Sequence, residues 1–229
     1  MNHSVSVVFD LDGTLIDSRS DLSSAANAAL RGLGLVPLPE ETIVSYVGDG
    51  IETLLRRCLT ERHLEKLSEA RKIFTAYYAE HLLDTTVLLP GVPETLEDLK
   101  GKYLLAVLTN KTEAFARKIL EGLGVASFFE VVVGEADGKV PKPDPSFLRG
   151  IVEGLGGSIR KTLMVGDGRN DILVARNAGC FSCVVANSEE KENSLKKYRP
   201  DFIIHDIREL PAILRENEWD EEKQTRGHS

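Results

Sequence analysis

The feature that most constrains the fold of this chain is a series of short, unbroken apolar segments that alternate with segments of helical periodicity. Each apolar segment predicts a buried strand, and these lie at residues 5–9, 104–108, 131–133, 163–165 and 183–185, with 202–204 as a candidate sixth. The segments between them repeat apolar residues at steps of three and four, which is typical of amphipathic helices, at residues 111–123, 146–155 and 171–177. Strands without polar alternation are covered on both faces. The pattern therefore predicts an α/β fold with a doubly wound, Rossmann-like parallel sheet, whose functional crevice lies at the carboxyl ends of the strands.

One interval interrupts this alternation, from about Asp17 to Asp84. It contains no convincing strand, only helical patterns at residues 51–59 and 64–83. Because it is far too long for a strand-to-strand crossover, it predicts a small helical cap domain inserted after the first strand, placed over the strand ends as a lid. The predicted organisation is an α/β core of residues 1–16 and 85–215, a helical cap of residues 17–84, and a polar C-terminal tail of residues 216–229.

The charge of the chain narrows the classes of partner. Its 229 residues carry a formal net charge of −8, which argues against a general binder of nucleic acid or of anionic membranes. No segment approaches the ~20 apolar residues of a membrane span. The first residues also lack the basic and apolar regions of a signal peptide. We therefore expect a cytoplasmic protein that binds neither membranes nor nucleic acid.

The chain has three cysteines, Cys58, Cys180 and Cys183, and an odd number suits a reducing compartment better than a disulfide framework. Cys180 and Cys183 form a C-x-x-C pattern, which is compatible with redox activity or with half of a zinc site. Because no second C-x-x-C and no paired histidines accompany it, we interpret both cysteines as small buried side chains.

Two carboxylates follow the first predicted strand, one residue apart. Residues 7–17 read VVFDLDGTLID, so the strand runs directly into Asp10, Asp12 and Gly13. Acids at the end of a buried strand are costly unless a metal, a charged partner or a reaction compensates them. Gly13 permits an unusual backbone angle or the close approach of a ligand. A hairpin turn would also explain Asp-Gly, but a second alternating strand should then follow, and a helical segment follows instead.

Three further polar motifs also follow predicted strands. Thr109-Asn110-Lys111 opens a predicted helix, where a hydroxyl and free amides favour an anion site, with a simple helix cap as the alternative. Lys142 lies between prolines, which indicates a fixed position rather than a solvated surface charge. Asp167 ends the fourth strand, and Asp171 four residues later supports a site or merely offsets a helix dipole.

In this order and spacing the motifs resemble those of the haloacid dehalogenase superfamily. The motifs that carry the resemblance are Asp10-Leu11-Asp12-Gly13-Thr14-Leu15, Leu108-Thr109-Asn110, Lys142-Pro143-x-Pro145 and Gly166-Asp167-x-x-x-Asp171. The resemblance extends over about residues 5–205 and is to the phosphatase branch with a helical C1-type cap after the first motif. At closer range, Tyr46-Val47-Gly48-Asp49-Gly50 and residues 166–172 are similar to those of phosphoglycolate phosphatases.

The resemblance implies a catalytic role for several of these side chains. Asp10 would be the nucleophile that forms an aspartyl-phosphate. Asp12 would act as general acid and then as general base. Thr109 and the Asn110 amide would bind phosphoryl oxygens, and Lys142 would offset the negative charge of Asp10 and of the phosphoryl group.

The resemblance also implies a Mg²⁺ cofactor, because hard oxygen ligands in small number are what this ion prefers. Its protein ligands would be the Asp10 carboxylate, the Asp12 backbone carbonyl and Asp167. Asp171 would lie beside the metal or beside Lys142 and support it.

The cap offers a second group of candidate substrate-binding residues. Gly48, Asp49 and Gly50 precede a predicted helix, and their amides could face a small anionic substrate when the lid closes, with a flexible loop as the alternative. We interpret Arg56 and Arg57 as solvated charges on a helix surface, with contact to a substrate carboxylate as the alternative. Phe74, Tyr77 and Tyr78 lie at helical spacing and are interpreted as packing inside the cap.

The function implied by the resemblance is that of a phosphoric monoester hydrolase for a small phosphorylated metabolite, with 2-phosphoglycolate cleaved to glycolate and phosphate as the favoured reaction. The alternatives are a phosphomutase like β-phosphoglucomutase, or a pyrophosphatase or other small-metabolite phosphatase of the same superfamily. The presence of Asp12 argues against carbon–halogen hydrolysis, and the full set of acids argues against a non-enzymatic scaffold. A monomer and a homodimer are both compatible with the sequence.

Overall fold

The computed structural model describes residues 5–136, 139, 141–217 and 219, and within them the chain alternates strands with helices. The strands are β1 (Ser6–Phe9), β2 (Ile16–Asp17), β3 (Val87–Leu88), β4 (Leu104–Thr112), β5 (Val131–Glu135), β6 (Thr162–Gly166), β7 (Phe181–Val185) and β8 (Phe202–Ile204). The helices are α1 (Arg19–Gly32), α2 (Glu40–Val44), α3 (Ile51–Leu59), α4 (Leu67–Glu80), α5 (Val92–Leu99), α6 (Glu113–Gly122), α7 (Pro145–Gly154), α8 (Arg169–Ala178), α9 (Glu189–Lys196) and α10 (Leu210–Glu216).

Six of the strands form one sheet in the order β5-β4-β1-β6-β7-β8. Every neighbouring pair in it is parallel, so the prediction of a parallel α/β sheet with six strands is confirmed. The chain builds outward from β1 through β4 to β5, then returns to the other side of β1 with β6. The order of the strands therefore reverses between β1 and β6, which is where open α/β sheets bind ligands.

The unbroken apolar sequence of β1 is explained by burial on both of its faces. Val7 and Phe9 pack into one hydrophobic cluster, while Val8 packs into a second cluster on the opposite face. All three side chains are fully buried. Successive strand residues point to opposite faces of the sheet. Both faces must therefore be covered, and helices cover them here.

Helices α1 to α4 occupy the interval in which we predicted a helical insert. The chain leaves and re-enters the sheet through β2 and β3, which pair antiparallel with Ile16 opposite Leu88 and Asp17 opposite Val87. A two-residue strand is too short to show periodicity, so this small second sheet could not be predicted from the sequence. The predicted helix at residues 64–83 is α4, preceded by a 3₁₀ turn at Glu61–Lys66.

One predicted boundary is wrong and bears on the site. We placed the start of a helix at Lys111, but β4 continues to Thr112, which pairs with Glu135 of β5 after a shift in register. Helix α6 begins only at Glu113. Asn110 and Lys111 are therefore strand residues with buried side chains, and they do not open a helix as we predicted.

Of the predicted tail, the structure describes Glu216 as the last residue of α10, then Asn217 and Trp219, and the remaining residues lie outside the described part. The Trp219 ring packs edge-on against Phe181, with 5.2 Å between centroids. In the described part of the chain, no helix combines the length and the apolar character needed to cross a membrane.

Candidate active site

The carboxyl end of β1 brings Asp10 and Asp12 to the reversal point of the sheet. The Asp10 amide still donates to the Val165 carbonyl of β6, at 2.8 Å, so this residue is fixed by the sheet. Gly13 has φ +81°, and a Cβ built there would lie 2.8 Å from Cγ of Asp167. The expected unusual backbone angle is therefore present, and the group that lies too close for a side chain at this position is the carboxylate of Asp167.

Lys142 lies at the centre of a buried ionic cluster. Its Nζ is 2.7 Å from Oδ1 of Asp10 and 2.7 Å from Oδ1 of Asp171, and its side chain is 2% exposed. The other Asp171 oxygen accepts from the amides of Asp167, at 3.1 Å, and Gly168, at 3.0 Å. Asp171 therefore both caps α8 and holds Lys142 in place.

The electrostatics of this cluster follow from its burial. Burial raises the pKa of Asp10 to about 6, against the opposing charge of Lys142. Burial alone would lower the pKa of Lys142, but Asp10 and Asp171 hold it above the ordinary value, so the ammonium stays charged.

Asp167 projects from the end of β6 into the same space. Burial raises its pKa, and an ion pair with Lys191 of α9, at 2.6 Å from Nζ to Oδ2, opposes this effect. We did not single out Lys191 from the sequence. It lies in a helix that follows a different strand, and a lysine among several charged residues carries no distinguishing signal.

Three carboxylates can hold a metal ion here. One oxygen each from Asp10, Asp167 and Asp171 lies within 4.8 Å of the others. This all-oxygen donor set at a partly open crevice fits a hard divalent cation. The group shares Asp10 and Asp167 with the predicted ligand set, and its third carboxylate is that of Asp171, whereas the third predicted ligand is the Asp12 backbone carbonyl.

The carboxylate of Asp12 has different partners. Its Oδ1 accepts hydrogen bonds from Ser18 Oγ and from Lys111 Nζ, the latter at 3.1 Å. Lys111 Nζ also donates to the Tyr78 hydroxyl of α4 at 2.8 Å. Burial alone would lower the pKa of Lys111, but Asp12 and Tyr78 hold it above its ordinary value. Sequence reasoning missed Lys111 as part of the site because we assigned it to a helix start.

Thr109 and Asn110 lie beside this cluster at the end of β4. Both are buried. The Asn110 amide group donates to the Lys142 carbonyl at 3.1 Å and accepts from the Lys142 amide at 2.8 Å. The Asn110 side chain therefore holds the backbone on which Lys142 is carried.

A cavity of about 670 Å³ opens above these residues and is closed from the other side by the insert. Its core-side lining includes every strand-end residue that we predicted, and its lining from the insert includes the predicted loop residues. These are Asp10, Asp12, Thr109, Asn110, Lys142, Asp167 and Asp171 from the core, and Gly48, Asp49 and Gly50 from the insert.

The loop before α3 contacts the core through two hydrogen-bond acceptors, the Gly48 carbonyl and the Asp49 carboxylate. The Gly48 carbonyl accepts from Asn110, at 3.0 Å, and from Asn170, at 3.2 Å. The Asp49 carboxylate accepts from Asn170 at 2.9 Å and pairs with Arg57 at 2.6 Å. Burial acts to raise the pKa of Asp49, yet the hydrogen bonds from Asn170 and Arg57 hold it below the ordinary value.

Our interpretation of the cap arginines is half right. Arg56 is exposed and pairs with Glu52 on the helix surface. Arg57 is not a solvated charge, because it binds Asp49 and donates to the Tyr46 carbonyl at 2.9 Å. Arg57 lies near the end of α3 and folds back on the loop that precedes its own helix. Helical periodicity does not predict a contact of this kind.

The cysteine interpretation is confirmed, whereas the aromatic one holds only in part, because Tyr77 is half-buried and stacks on His81, and Tyr78 packs on Phe115 outside the insert. Phe74 and Tyr78 are fully buried, although Tyr78 also contacts the site through its hydroxyl. Cys180 and Cys183 are buried and free, and burial raises the pKa of Cys183 to about 12, which leaves it an unreactive thiol.

A lysine held between two aspartates at the reversal point of a parallel sheet, next to a third aspartate and beneath a helical insert, defines a class of hydrolase. The chain belongs to the haloacid dehalogenase-like hydrolase family, whose model matches residues 7–185. It is 41% identical to the phosphoglycolate phosphatase of Neisseria meningitidis, covering 97% of this chain and 98% of that protein. It is 35% identical to the phosphoglycolate phosphatase of Escherichia coli K12, covering 90% and 91% respectively.

Comparison with solved structures also finds a relative of this kind. It superposes with a TM-score of 0.82 on the crystal structure of a predicted phosphoglycolate phosphatase from Haemophilus somnus 129PT. That protein is 30% identical, and the match covers 93% of this chain and 99% of that one.

Proposed function

We propose that this enzyme is a Mg²⁺-dependent phosphatase that hydrolyses 2-phosphoglycolate, a small phosphorylated metabolite, to glycolate and phosphate. The observation that carries the proposal is the cluster in which Lys142 bridges Asp10 and Asp171, with Asp167 close enough to share a cation with them. The names of the relatives, which match over nearly the whole chain, support the choice of substrate.

Asp10 acts as the nucleophile in this proposal. A carboxylate oxygen attacks phosphorus, the bond from phosphorus to the ester oxygen breaks, and an aspartyl-phosphate forms. Lys142, 2.7 Å from the same carboxylate, offsets the negative charge that gathers on the transferring group. Thr109 and Asn110 line the cavity beside it and are placed to contact phosphoryl oxygens.

Asp12 supplies the proton chemistry. It protonates the leaving alkoxide oxygen of glycolate in the first step, and it takes a proton from the hydrolytic water in the second. Water then cleaves the aspartyl-phosphate, which releases phosphate and restores Asp10.

The Asp10 and Asp167 carboxylates, with the Asp12 backbone carbonyl, would hold Mg²⁺, and Asp171 keeps Lys142 in place beside them. When bound, the ion supplies positive charge that neutralises the phosphoryl oxygens. The oxygen-only donor set of the carboxylate cluster supports this choice of ion.

The insert determines which ester enters. We assign residues 17–84 to a cap and residues 1–16 and 85–215 to the catalytic core, with residues 216–229 as a tail. Gly48, Asp49 and Gly50 form the cap surface that faces the substrate across the cavity.

The test is phosphate release from a panel of substrates, read as kcat/KM, that includes 2-phosphoglycolate, β-glucose 1-phosphate and pyrophosphate. We expect 2-phosphoglycolate to rank first, with turnover abolished by a chelator and restored by Mg²⁺. Asp10→Asn should lower kcat by at least ~10³-fold, because it removes the nucleophile of the covalent route.

The matched control is Asp98→Asn, which removes an exposed carboxylate on α5 and should leave turnover unchanged. Full activity of Asp10→Asn would overturn the mechanism, and a higher kcat/KM on another ester would overturn the substrate. Isomerisation of the sugar phosphate without phosphate release would favour a mutase.

A further inference from the structure

We propose that Lys111 is a positioning residue for Asp12, and that it connects this general acid to Tyr78 of the helical insert. The inference rests on the proposed function, since it assigns to Asp12 the protonation of the leaving group.

The first observation is the burial of Lys111. Its side chain is 3% exposed, because β4 continues past Asn110 and directs the residue inward. Removing an ammonium group from water is energetically costly unless close partners compensate it. The carboxylate of Asp12 and the hydroxyl of Tyr78 are those partners, at 3.1 and 2.8 Å.

The second observation is which oxygen of Asp12 is engaged. Within the described part of the chain, the side-chain donors to this carboxylate are Lys111 and Ser18, and both contact Oδ1. Two donors on one oxygen restrict the rotation of the carboxylate and leave Oδ2 without a side-chain donor among the described residues. Asp12 is thus held with a single oxygen available to the ester, which is the pre-organisation that proton transfer requires.

The third observation is the rigidity of the Tyr78 anchor. The Tyr78 ring is fully buried and packs against Phe115 of α6, with 5.4 Å between centroids, and against Phe74, at 5.5 Å. The Lys111 Nζ also lies over the Tyr78 ring, 4.8 Å from its centroid. A hydroxyl held this firmly fixes the ammonium, and the ammonium in turn fixes Asp12.

Lys111 also lines the cavity, so the opposing explanation is that it binds the carboxylate of the substrate directly. The two explanations differ in what they predict for different esters. A positioning role matters for every ester whose leaving group needs a proton. A substrate-binding role matters only for esters that carry a carboxylate.

The experiment compares Lys111→Met with the unchanged protein on 2-phosphoglycolate, ethyl phosphate and p-nitrophenyl phosphate. Ethyl phosphate has an alkoxide leaving group and no carboxylate, while p-nitrophenolate leaves without protonation. The quantity measured is kcat/KM, which reports the first phosphoryl transfer and is insensitive to the later hydrolysis of the aspartyl-phosphate.

We expect Lys111→Met to lower kcat/KM by ~10²-fold on both alkyl esters, as for a misplaced general acid. On p-nitrophenyl phosphate the fall should stay within about threefold, because no proton transfer is lost there. Tyr78→Phe should show the same pattern at smaller amplitude. Lys118→Met, an exposed lysine of α6, is the matched control and should change none of the values.

Two results would overturn the inference. A fall confined to 2-phosphoglycolate would make Lys111 a substrate ligand, and an equal fall on all three esters would make its role purely structural. If Lys111→Met does not fold, Tyr78→Phe decides by the same comparison. Failure of the unchanged protein to hydrolyse any of the three esters would refute the proposed function instead.

Discussion

At the scale of single residues, the site depends on how closely its backbone segments approach. Gly13 is the clearest case. Its φ of +81° is left-handed, and a Cβ at the same position would meet the Asp167 carboxylate. Gly179 has the same φ of +81°, but a Cβ there would meet nothing within 4 Å. Comparing substitutions at Gly13 and Gly179 therefore separates the effect of the left-handed backbone from the effect of crowding by a neighbouring side chain.

We expect Gly13→Ala and Gly179→Ala each to lose about 1–2 kcal/mol of stability from the left-handed backbone. Only Gly13→Ala should also lose phosphatase activity and Mg²⁺ affinity, because its methyl group displaces the carboxylate of Asp167. Thermal denaturation, Mg²⁺ titration by calorimetry and kcat/KM measure the three effects. Unchanged Mg²⁺ affinity in Gly13→Ala would contradict the assignment of Asp167 as a ligand.

At the scale of elements, the start of the insert is tied to its end by one carboxylate. Asp21 of α1 is buried and accepts hydrogen bonds from the amides and hydroxyls of both Thr85 and Thr86. Although burial acts to raise it, the pKa of Asp21 is lowered by these hydrogen bonds. The charged form is therefore the one that stabilises the junction.

We expect Asp21→Asn to lower the free energy of unfolding by about 2 kcal/mol at neutral pH, since hydrogen bonds to a charged group contribute ~1.5–3 kcal/mol. A depressed folded-state pKa gives stability that is present above the unfolded value of about 3.9 and is lost as pH falls through the folded value. The difference between the two proteins should therefore shrink below about pH 4, as urea denaturation at several pH values will show. A difference that is constant from pH 7 to pH 3 would exclude the charge as its source.

Sequence reasoning worked for elements whose signal is local. The six parallel strands were recognisable because each is covered on both faces and so is apolar throughout, and the acids were recognisable because they interrupt that pattern at Asp10 and Asp167. It failed for contacts made by distant parts of the chain. Lys111 was misplaced because its partner Tyr78 lies 33 residues away on another element. The role of Arg57 was predicted wrongly because its partner, Asp49, lies in a loop whose conformation a sequence pattern does not show.

At the scale of the whole molecule, the insert contacts the core through the Gly48–Asp49 loop. Asn170, in the first turn of α8, donates both to the Gly48 carbonyl and to the Asp49 carboxylate. The same helix carries Asp171, which holds Lys142. One helix start therefore both holds Lys142 and contacts the Gly48–Asp49 loop of the insert.

We expect Asn170→Ala to raise KM for 2-phosphoglycolate ~5-fold, because it removes about 1 kcal/mol of contact between loop and core. Hydrogen exchange of the amides at residues 46–50 should become faster by a similar factor, with the melting temperature unchanged. Asn193→Ala, which shortens an exposed side chain of α9, is the control. Equal exchange rates in both variants would show that Asn170 does not hold the loop.

The short pairing of β2 with β3 has a consequence for how such enzymes diversify. Because Ile16 lies opposite Leu88 and Asp17 opposite Val87, the two ends of the insert leave the sheet side by side. A folded unit of almost any size can be grafted at such a junction without stretching the strands beneath it, since loop-closure cost grows only slowly with length. A junction of this kind allows the insert to be exchanged while the parallel sheet and its strand ends are kept.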